Sequence, residues 1–180
     1  MDDAPLPSGQ KWEPPRLPVA PPYFEHEVEV LVHVPFEFAC RHIMPTGRPA
    51  TNRLSGVVEH RVAVDPFHLL SKADIPGPGR KRQHSEVWTS ITGGATWEQV
   101  SIGWLEGRAI AQNAISFSIS PEGQGCRYRV HVREWKLDKL GKTARRREAS
   151  ASQQSYDRAF QNASARIEAS FAEDPSRRLS

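Results

Sequence analysis

The clearest pattern in the chain is a strict alternation from His26 to Val34. Valines stand at 28, 30, 32 and 34, with Glu27, Glu29, Leu31 and His33 between them. A period of two places the valines on one face of a strand, toward a core. Leu31 on the other face points to partial cover there too. Pro35 ends the strand, and its fixed φ suits the first turn of a helix. From Phe36 to Met44, Phe36, Cys40, Ile43 and Met44 share one face of a short helix at i, i+4, i+7 and i+8. Pro45-Thr46-Gly47 stops it. Val57 to Val64 is a second strand, with Val58, Val62 and Val64 on one face and His60 among them. Phe67 to His84 shows no period and contains Ile75-Pro76-Gly77-Pro78-Gly79. It reads as a loop, and its length points to mobility or function.

A meander follows. Glu86 to Thr92 meets Gly93-Gly94, a strong hairpin signal. Ala95 to Glu106 alternates Val100, Ile102 and Trp104 against Trp97, Gln99 and Ser101. After Gly107, Ala109 to Ser120 places Ala111, Asn113, Ile115, Phe117 and Ile119 on one face. Pro121-Glu122-Gly123-Gln124-Gly125 is a loose hairpin. Cys126 to Trp135 then puts Cys126, Tyr128, Val130 and Val132 inward and Arg127, Arg129, His131 and Arg133 outward. A polar linker over Lys136 to Glu148 leads to a last helix, capped by Ser150 or Ser152 and running to about Ala172. Its apolar positions, Tyr156, Phe160, Ala163, Ile167 and Phe171, form one narrow stripe. Such a helix is held by packing on the sheet. The pattern therefore predicts an α+β fold: an antiparallel sheet of about six strands, one short helix after the first strand and one long C-terminal helix.

Composition changes this picture mainly at the ends. The 180 residues fit one domain plus tails. Hydrophobic content is 38% and mean hydropathy −0.58, both low for a compact domain. The deficit is concentrated before Tyr23, where seven of the 15 prolines fall. Residues 1–22 are thus expected to be a disordered Pro-rich arm, 23–173 a single domain and 174–180 a frayed tail. The net charge of +3 raises the expectation of an anionic partner only slightly, at Arg80, Lys81 and Arg82. Short charge runs are usually solvated loops. Cys40 and Cys126 lack CxxC or Cys/His spacing and read as buried free thiols. No signal-peptide pattern is seen, and no apolar stretch approaches the ~20 residues needed to span a membrane. A cytoplasmic location is the default.

Candidate chemistry is sparse. The seven histidines form neither HxxxH nor HExxH, so no metal site and no cofactor is expected. Gly77-Pro78-Gly79-Arg80-Lys81 lacks the spacing and the following helix of a phosphate loop. No GxSxG is present. The chain carries no complete catalytic motif; whether it is an enzyme stays open, and catalytic residues are unknown.

The element order resembles the START-like, or SRPBCC, superfamily with its helix-grip layout, including polyketide cyclases, the birch-pollen-allergen type and Hsp90-activator-like proteins. Val28 to Met44 resembles the opening strand, proline and aromatic-bearing helix of that group. Ile115 to Glu134 (ISFSISPEGQGCRYRVHVRE) resembles its late hairpin, with Cys126 where threonine is usual. A second short helix, expected around Arg48 to Leu54, is not evident, and Phe67 to His84 looks like an insertion. The resemblance implies a curved sheet that grips the C-terminal helix around a cavity for a hydrophobic small molecule or lipid. Asn113, a polar residue flanked by Ala111, Ile115 and Phe117, is then a candidate to orient a ligand, as is His60 on its valine face. Trp97, Trp104, Phe117, Tyr128 and Phe160 are candidates to line the cavity. The bland readings are a satisfied core amide, a structural histidine and core aromatics. In a cyclase/aromatase-type enzyme, the resemblance alone implies that His60, Asn113 or Tyr128 would position and protonate a polyketide-like substrate. The alternative is a non-catalytic interaction module. It would use the Pro-rich arm, the basic loop and the Arg127/Arg129/Arg133 stripe to contact an acidic protein or nucleic acid.

Overall fold

The opening alternation folds as strand β1, Phe24–Val32. Phe24, Val28 and Val32 are buried, while Glu25, Glu27, Glu29 and Leu31 are exposed. The structure is a computed structural model and describes residues 13–45, 58–76, 82–137 and 141–173. After β1 come helix α1 (Phe36–Ile43), β2 (Val58–Asp65), β3 (His68–Pro76), β4 (Arg82–Gly93), β5 (Thr96–Leu105), β6 (Arg108–Glu122), β7 (Gly125–Lys136) and helix α2 (Lys142–Glu173). The strands form one antiparallel sheet in the order β1-β7-β6-β5-β4-β3-β2. The chain's first strand thus pairs with its last, and β1 and β2 form the two edges.

Seven strands replace the six expected, and the difference lies in Phe67 to His84. That stretch holds β3 and the start of β4. Leu69 and Leu70 are adjacent and both buried, at 2% and 7% exposure, so they fill opposite faces of β3. Burial on both faces erases the alternation by which a strand is read. The turn before it is only Pro66-Phe67, closed by Asp65, whose Oδ1 accepts from the Phe67 N–H at 2.8 Å. Residues 77–81 lie outside the described residues, as does the region of Arg48 to Leu54 where a second helix is expected.

α1 begins where Pro35 predicts. The N–H groups of Phe38 and Ala39 both donate to the Pro35 carbonyl at 3.0 Å. Its most deeply buried residues are Phe38 and Ala39, while Phe36, Cys40, Ile43 and Met44 pack against the same core from the flanks. The expected face is therefore rotated toward Phe38. The extra burial comes from the edge-on contact between Phe38 and Phe171 of α2, with centroids 4.8 Å apart.

α2 has 32 residues and starts well before Ser150. Residues 142–149 (KTARRREA) are mostly strong helix formers but carry no apolar stripe, so periodicity does not reveal them. Lys136 Nζ at the end of β7 meets Glu148 Oε2 at 3.1 Å. Ser152 lies inside the helix, and its hydroxyl serves the sheet, not a cap. Residues 174–180 are not described.

Register assigns the two faces of the sheet. The row Leu69, Thr89, Gln99, Ile115, Val132 continues to His26, which shares with Phe24 and Val28 the face that meets α2. Its neighbouring row, His60, Lys72, Glu86, Ile102, Gln112, Trp135, belongs to the opposite face. On that opposite face lie residues 13–22. The Gln112 amide donates to the Arg16 carbonyl at 3.0 Å, and the Trp135 indole donates to the Ala20 carbonyl at 2.7 Å. This half of the arm is extended, as its prolines dictate, but docked and not free as composition implies. Carbonyls that proline-rich backbone cannot pair internally are taken up by side chains of the sheet. Residues 1–12 lie outside the described residues.

The hairpin glycines are placed as the sequence predicts. Gly93 and Gly94 take φ of 96° and 57°, the left-handed region that glycine tolerates. Gly125 is constrained differently: a Cβ there would stand 2.6 Å from the carbonyl oxygen of Val32. β7 must pass that close to pair with the end of β1. Gly125→Ala is expected to lower stability by roughly 1–3 kcal/mol through overpacking, measured by urea unfolding. An unchanged midpoint would contradict this account of the β1–β7 join.

Candidate functional site

Period-two alternation on β5, β6 and β7 brings Trp97, Phe117 and Tyr128 side by side on the helix face. Trp97 and Phe117 are stacked with centroids 4.8 Å apart and planes at 6°. Tyr128 lies 6.2 Å from Trp97 and 6.4 Å from Phe117, again nearly parallel. Phe160 of α2 stands edge-on to Tyr128 at 5.7 Å and to Phe117 at 6.5 Å. Such pairs add about 0.5–1.5 kcal/mol each beyond their buried area. Four candidates from the sequence are thus brought into one cluster.

Above this floor lies a cleft of about 400 Å3. Its other wall is the C-terminal end of α1, from Arg41 to Pro45, with Gln99 of β5 beside Trp97. Gln99 Nε2 donates to the Thr89 hydroxyl at 3.3 Å. His42 is fixed at the rim: its Nδ1 donates to the Phe38 carbonyl at 2.9 Å, and its ring stacks on Phe38 at 4.0 Å. Tyr128 is 5% exposed. Among the described residues its hydroxyl has no hydrogen-bond partner, although the residue lines the cleft. Burial pushes the phenol up, well above the usual tyrosine range. It is therefore a protonated donor at neutral pH, opening on the cleft.

The remaining candidates lie elsewhere. Asn113 is on the helix face but in a separate depression of about 350 Å3, with Tyr23, Glu134, Lys136 and Ser152. Trp104 follows a register shift between Gly103 and Trp104 and sits with His84 at 5.7 Å, in the row of the outer face. His60 pairs with Lys72 on β2, in the outer-face row near the far edge of the sheet. Trp104 does not join the aromatic cluster, and His60 is described by its backbone alone. By register, the row through His60 runs to Gln112 and Trp135, whereas Trp104 faces His84 on β4 and, past the bulge, Ala109 on β6.

Beside Asn113 the structure holds a group not picked out from the sequence. Glu134, 9% exposed, continues the inward row of Tyr128, Val130 and Val132. Its carboxylate accepts from the Tyr23 hydroxyl at 2.6 Å, the Tyr156 hydroxyl at 2.8 Å and Ser152 Oγ at 3.0 Å. An acid falling on the apolar parity of a strand was the available signal. Burial and then the neighbouring Glu134 push the phenols of Tyr23 and Tyr156 well above the normal range.

The two cysteines are free. Burial pushes both thiols up, helped at Cys40 by Glu37 and at Cys126 by Cys40. Neither has the lowered pKa of a reactive thiolate. Among the described residues no three His, Cys, Asp or Glu side chains converge as a metal site requires. No described helix is long and apolar enough to cross a membrane. Of the basic run at Arg80, Lys81 and Arg82, the first two lie outside the described residues and the third is described by its backbone alone.

With this geometry in hand, comparison with solved structures identifies the architecture. A conserved protein from Geobacillus kaustophilus superposes with a TM-score of 0.62 at 10% identity, over 82% of this chain and 97% of that one. The protein TTHA0849 from Thermus thermophilus gives 0.58 at 15% identity, over 81% and 98%. Ara h 8.0201 gives 0.54 at 15% identity, over 83% and 98%. The fold is thus of the helix-grip type, with a seven-stranded open sheet, a short helix after β1 and a long C-terminal helix. No family model matches the chain, and no curated protein sequence does.

The chain has three tyrosines, and all three have raised phenol pKa values. Because each folded pKa exceeds the unfolded value near ~10, the folded protein retains protons that the unfolded chain releases. Their contribution to stability is full below that pH and is lost as pH rises above it. Phenolate absorbance is expected to show no tyrosine titrating near pH ~10; ionisation should coincide with loss of near-UV circular dichroism. A normal phenol titrating in folded protein would contradict the packing of at least one of these residues.

Proposed function

We propose that the protein binds a small, largely apolar molecule in the cleft between α1 and the sheet. The observation that carries this reading is the Tyr128 hydroxyl: a donor on a buried ring, without a partner, at the wall of an aromatic-floored cleft. The ring is buried but its hydroxyl opens on the cleft, where a ligand acceptor would complement it. A space of about 400 Å3 falls in the usual range for small-molecule sites, about 300–1,000 Å3. The ring body of the ligand would lie on Trp97 and Phe117, with Phe160 backing Tyr128 from the helix.

Binding is favoured over cyclase-type catalysis. General acid–base work needs a group of suitable pKa within hydrogen-bond reach of the reacting atom. Tyr128 is held protonated by its surroundings and serves as a donor, not as a base. Asn113 belongs to the Glu134 depression, and His60 to the outer-face row. The remaining reading, a basic surface for anionic macromolecules, is weakened on β7. Arg127 pairs with Glu122 and Glu29, Arg129 with Glu29 at 2.7 Å and Glu27 at 3.2 Å, and His131 with Glu25 at 2.9 Å.

A neutral probe tests the proposal: 2-(2-naphthyl)ethanol, followed by isothermal titration calorimetry and tryptophan fluorescence. Saturable binding is expected. Tyr128→Phe should weaken it about five- to tenfold, the usual value of one neutral hydrogen bond. Ile43→Trp, which fills the cleft from α1, should abolish it while circular dichroism confirms the fold. No saturable binding, or binding indifferent to both substitutions, would sink the proposal.

A further inference from the structure

The cleft over Tyr128 adjoins a second space of about 390 Å3 between the two helices. The two share His42, Ile43 and Tyr128, and the second adds Arg166 and Ile167 from α2. Among the described residues no aspartate or glutamate lines either space, while Arg41 lines one and Arg166 the other. Each arginine is steadied by its own helix. Arg41 Nε donates to the Glu37 carbonyl, and Arg166 Nε to the Asn162 carbonyl, both at 3.3 Å. Neither has a carboxylate partner among the described residues. The nearest acids in sequence turn away: Glu168 Oε1 accepts from the His33 N–H at 2.8 Å, and Glu37 lies a turn before Arg41 in the exposed first turn of α1. On the outer face, by contrast, Arg127 and Arg129 are neutralised by glutamates.

We infer that the molecule taken by this cleft is an amphiphilic anion, an apolar body bearing a carboxylate. The body lies on Trp97, Phe117 and Tyr128, and the carboxylate meets Arg41 and Arg166 at the rim. This rests on the reading of the cleft as a ligand site and adds the sign of the ligand's charge. Guanidinium groups held by Nε keep their Nη protons in a planar fork, the geometry that suits a carboxylate. An acid-free lining means that no negative charge repels it. A cationic head group would meet two like charges and no counter-charge.

Three probes with one skeleton and different head groups test the sign: 2-naphthylacetate, 2-(2-naphthyl)ethanol and 2-(2-naphthyl)ethylamine, titrated calorimetrically at pH 7 in low and high salt. The acid is expected to bind about tenfold more tightly than the alcohol, as one or two charge-assisted hydrogen bonds at an open rim provide. The amine should be weakest. The acid's advantage should shrink with added salt, fall in Arg41→Gln and in Arg166→Gln, and vanish in the double variant. Equal affinity for acid and alcohol, or an advantage that survives the double variant, overturns the inference and leaves a cleft for neutral molecules. If none of the three probes binds, the ligand-site reading falls with it.

Discussion

The attachment of α2 to the sheet turns on one buried carboxylate. Glu134 gathers hydroxyls from three places: Tyr23 just before β1, and Ser152 and Tyr156 on α2. A buried charge is costly unless its hydrogen-bonding capacity is filled. Here the cost is offset by three donors that a carboxylate binds more strongly than a neutral acceptor would. Because all three are hydroxyls of ordinarily neutral groups, the arrangement is directional. It fixes which turn of the helix faces which strand, where an apolar contact would tolerate sliding. Phe24 stacks on Tyr156 at 6.1 Å, and His26 Nε2 meets Asp157 Oδ1 at 2.8 Å, so the next residues inherit the register set there.

From that anchor the course of the helix follows. Tyr156, Phe160, Ile167 and Phe171 make a stripe one residue wide, able to cover the β1–β7–β6 side of the sheet and not its whole breadth. α1 is tied to the far end of the stripe through Phe38 and Phe171. Two helices held at their ends, over a floor of stacked rings, leave space between them where Tyr128 stands. The cleft is therefore a product of the helix being both firmly registered and narrow. A wider apolar face would close it.

Much of this was legible in the chain because burial on one face writes a period. β1, β5, β6 and β7 alternate cleanly, and Pro35 marks the start of α1. Parity put Phe117 and Tyr128 on inward faces, but it left open which face of β5, that of Trp97 or that of Trp104, joins them. What was not legible has specific causes. β3 is buried on both faces at Leu69 and Leu70, so it has no alternation to read. The first turns of α2 are helical by propensity and carry no stripe. Trp104 sits with His84 apart from the aromatic cluster because a bulge in β5 precedes it, and His60 is described by its backbone alone. A single strand's pattern names two faces but not which one the helix covers. Glu134 was missed because acids in strands are usually read as solvent-facing, although its parity with Tyr128 and Val132 said otherwise.

The strand order also determines what the charges can do. Read alone, β7 presents Arg127, Arg129, His131 and Arg133 as a basic stripe. Sheet order seats β1 beside it, with Glu29 opposite Arg129 and Glu25 opposite Arg133. Cross-strand pairs then form directly or on the diagonal, and Leu31, opposite Arg127, is the one apolar break in β1's acidic row. Each exposed pair adds little stability, yet together they cancel the field that an anionic polymer would need. Helix residues have no such partner strand. Arg41 and Arg166 line the cleft and the space beside it, without a carboxylate partner among the described residues. On the reading proposed for the cleft, these two charges are left for a ligand, whereas those of Arg127 and Arg129 are met by glutamates of β1 and β6.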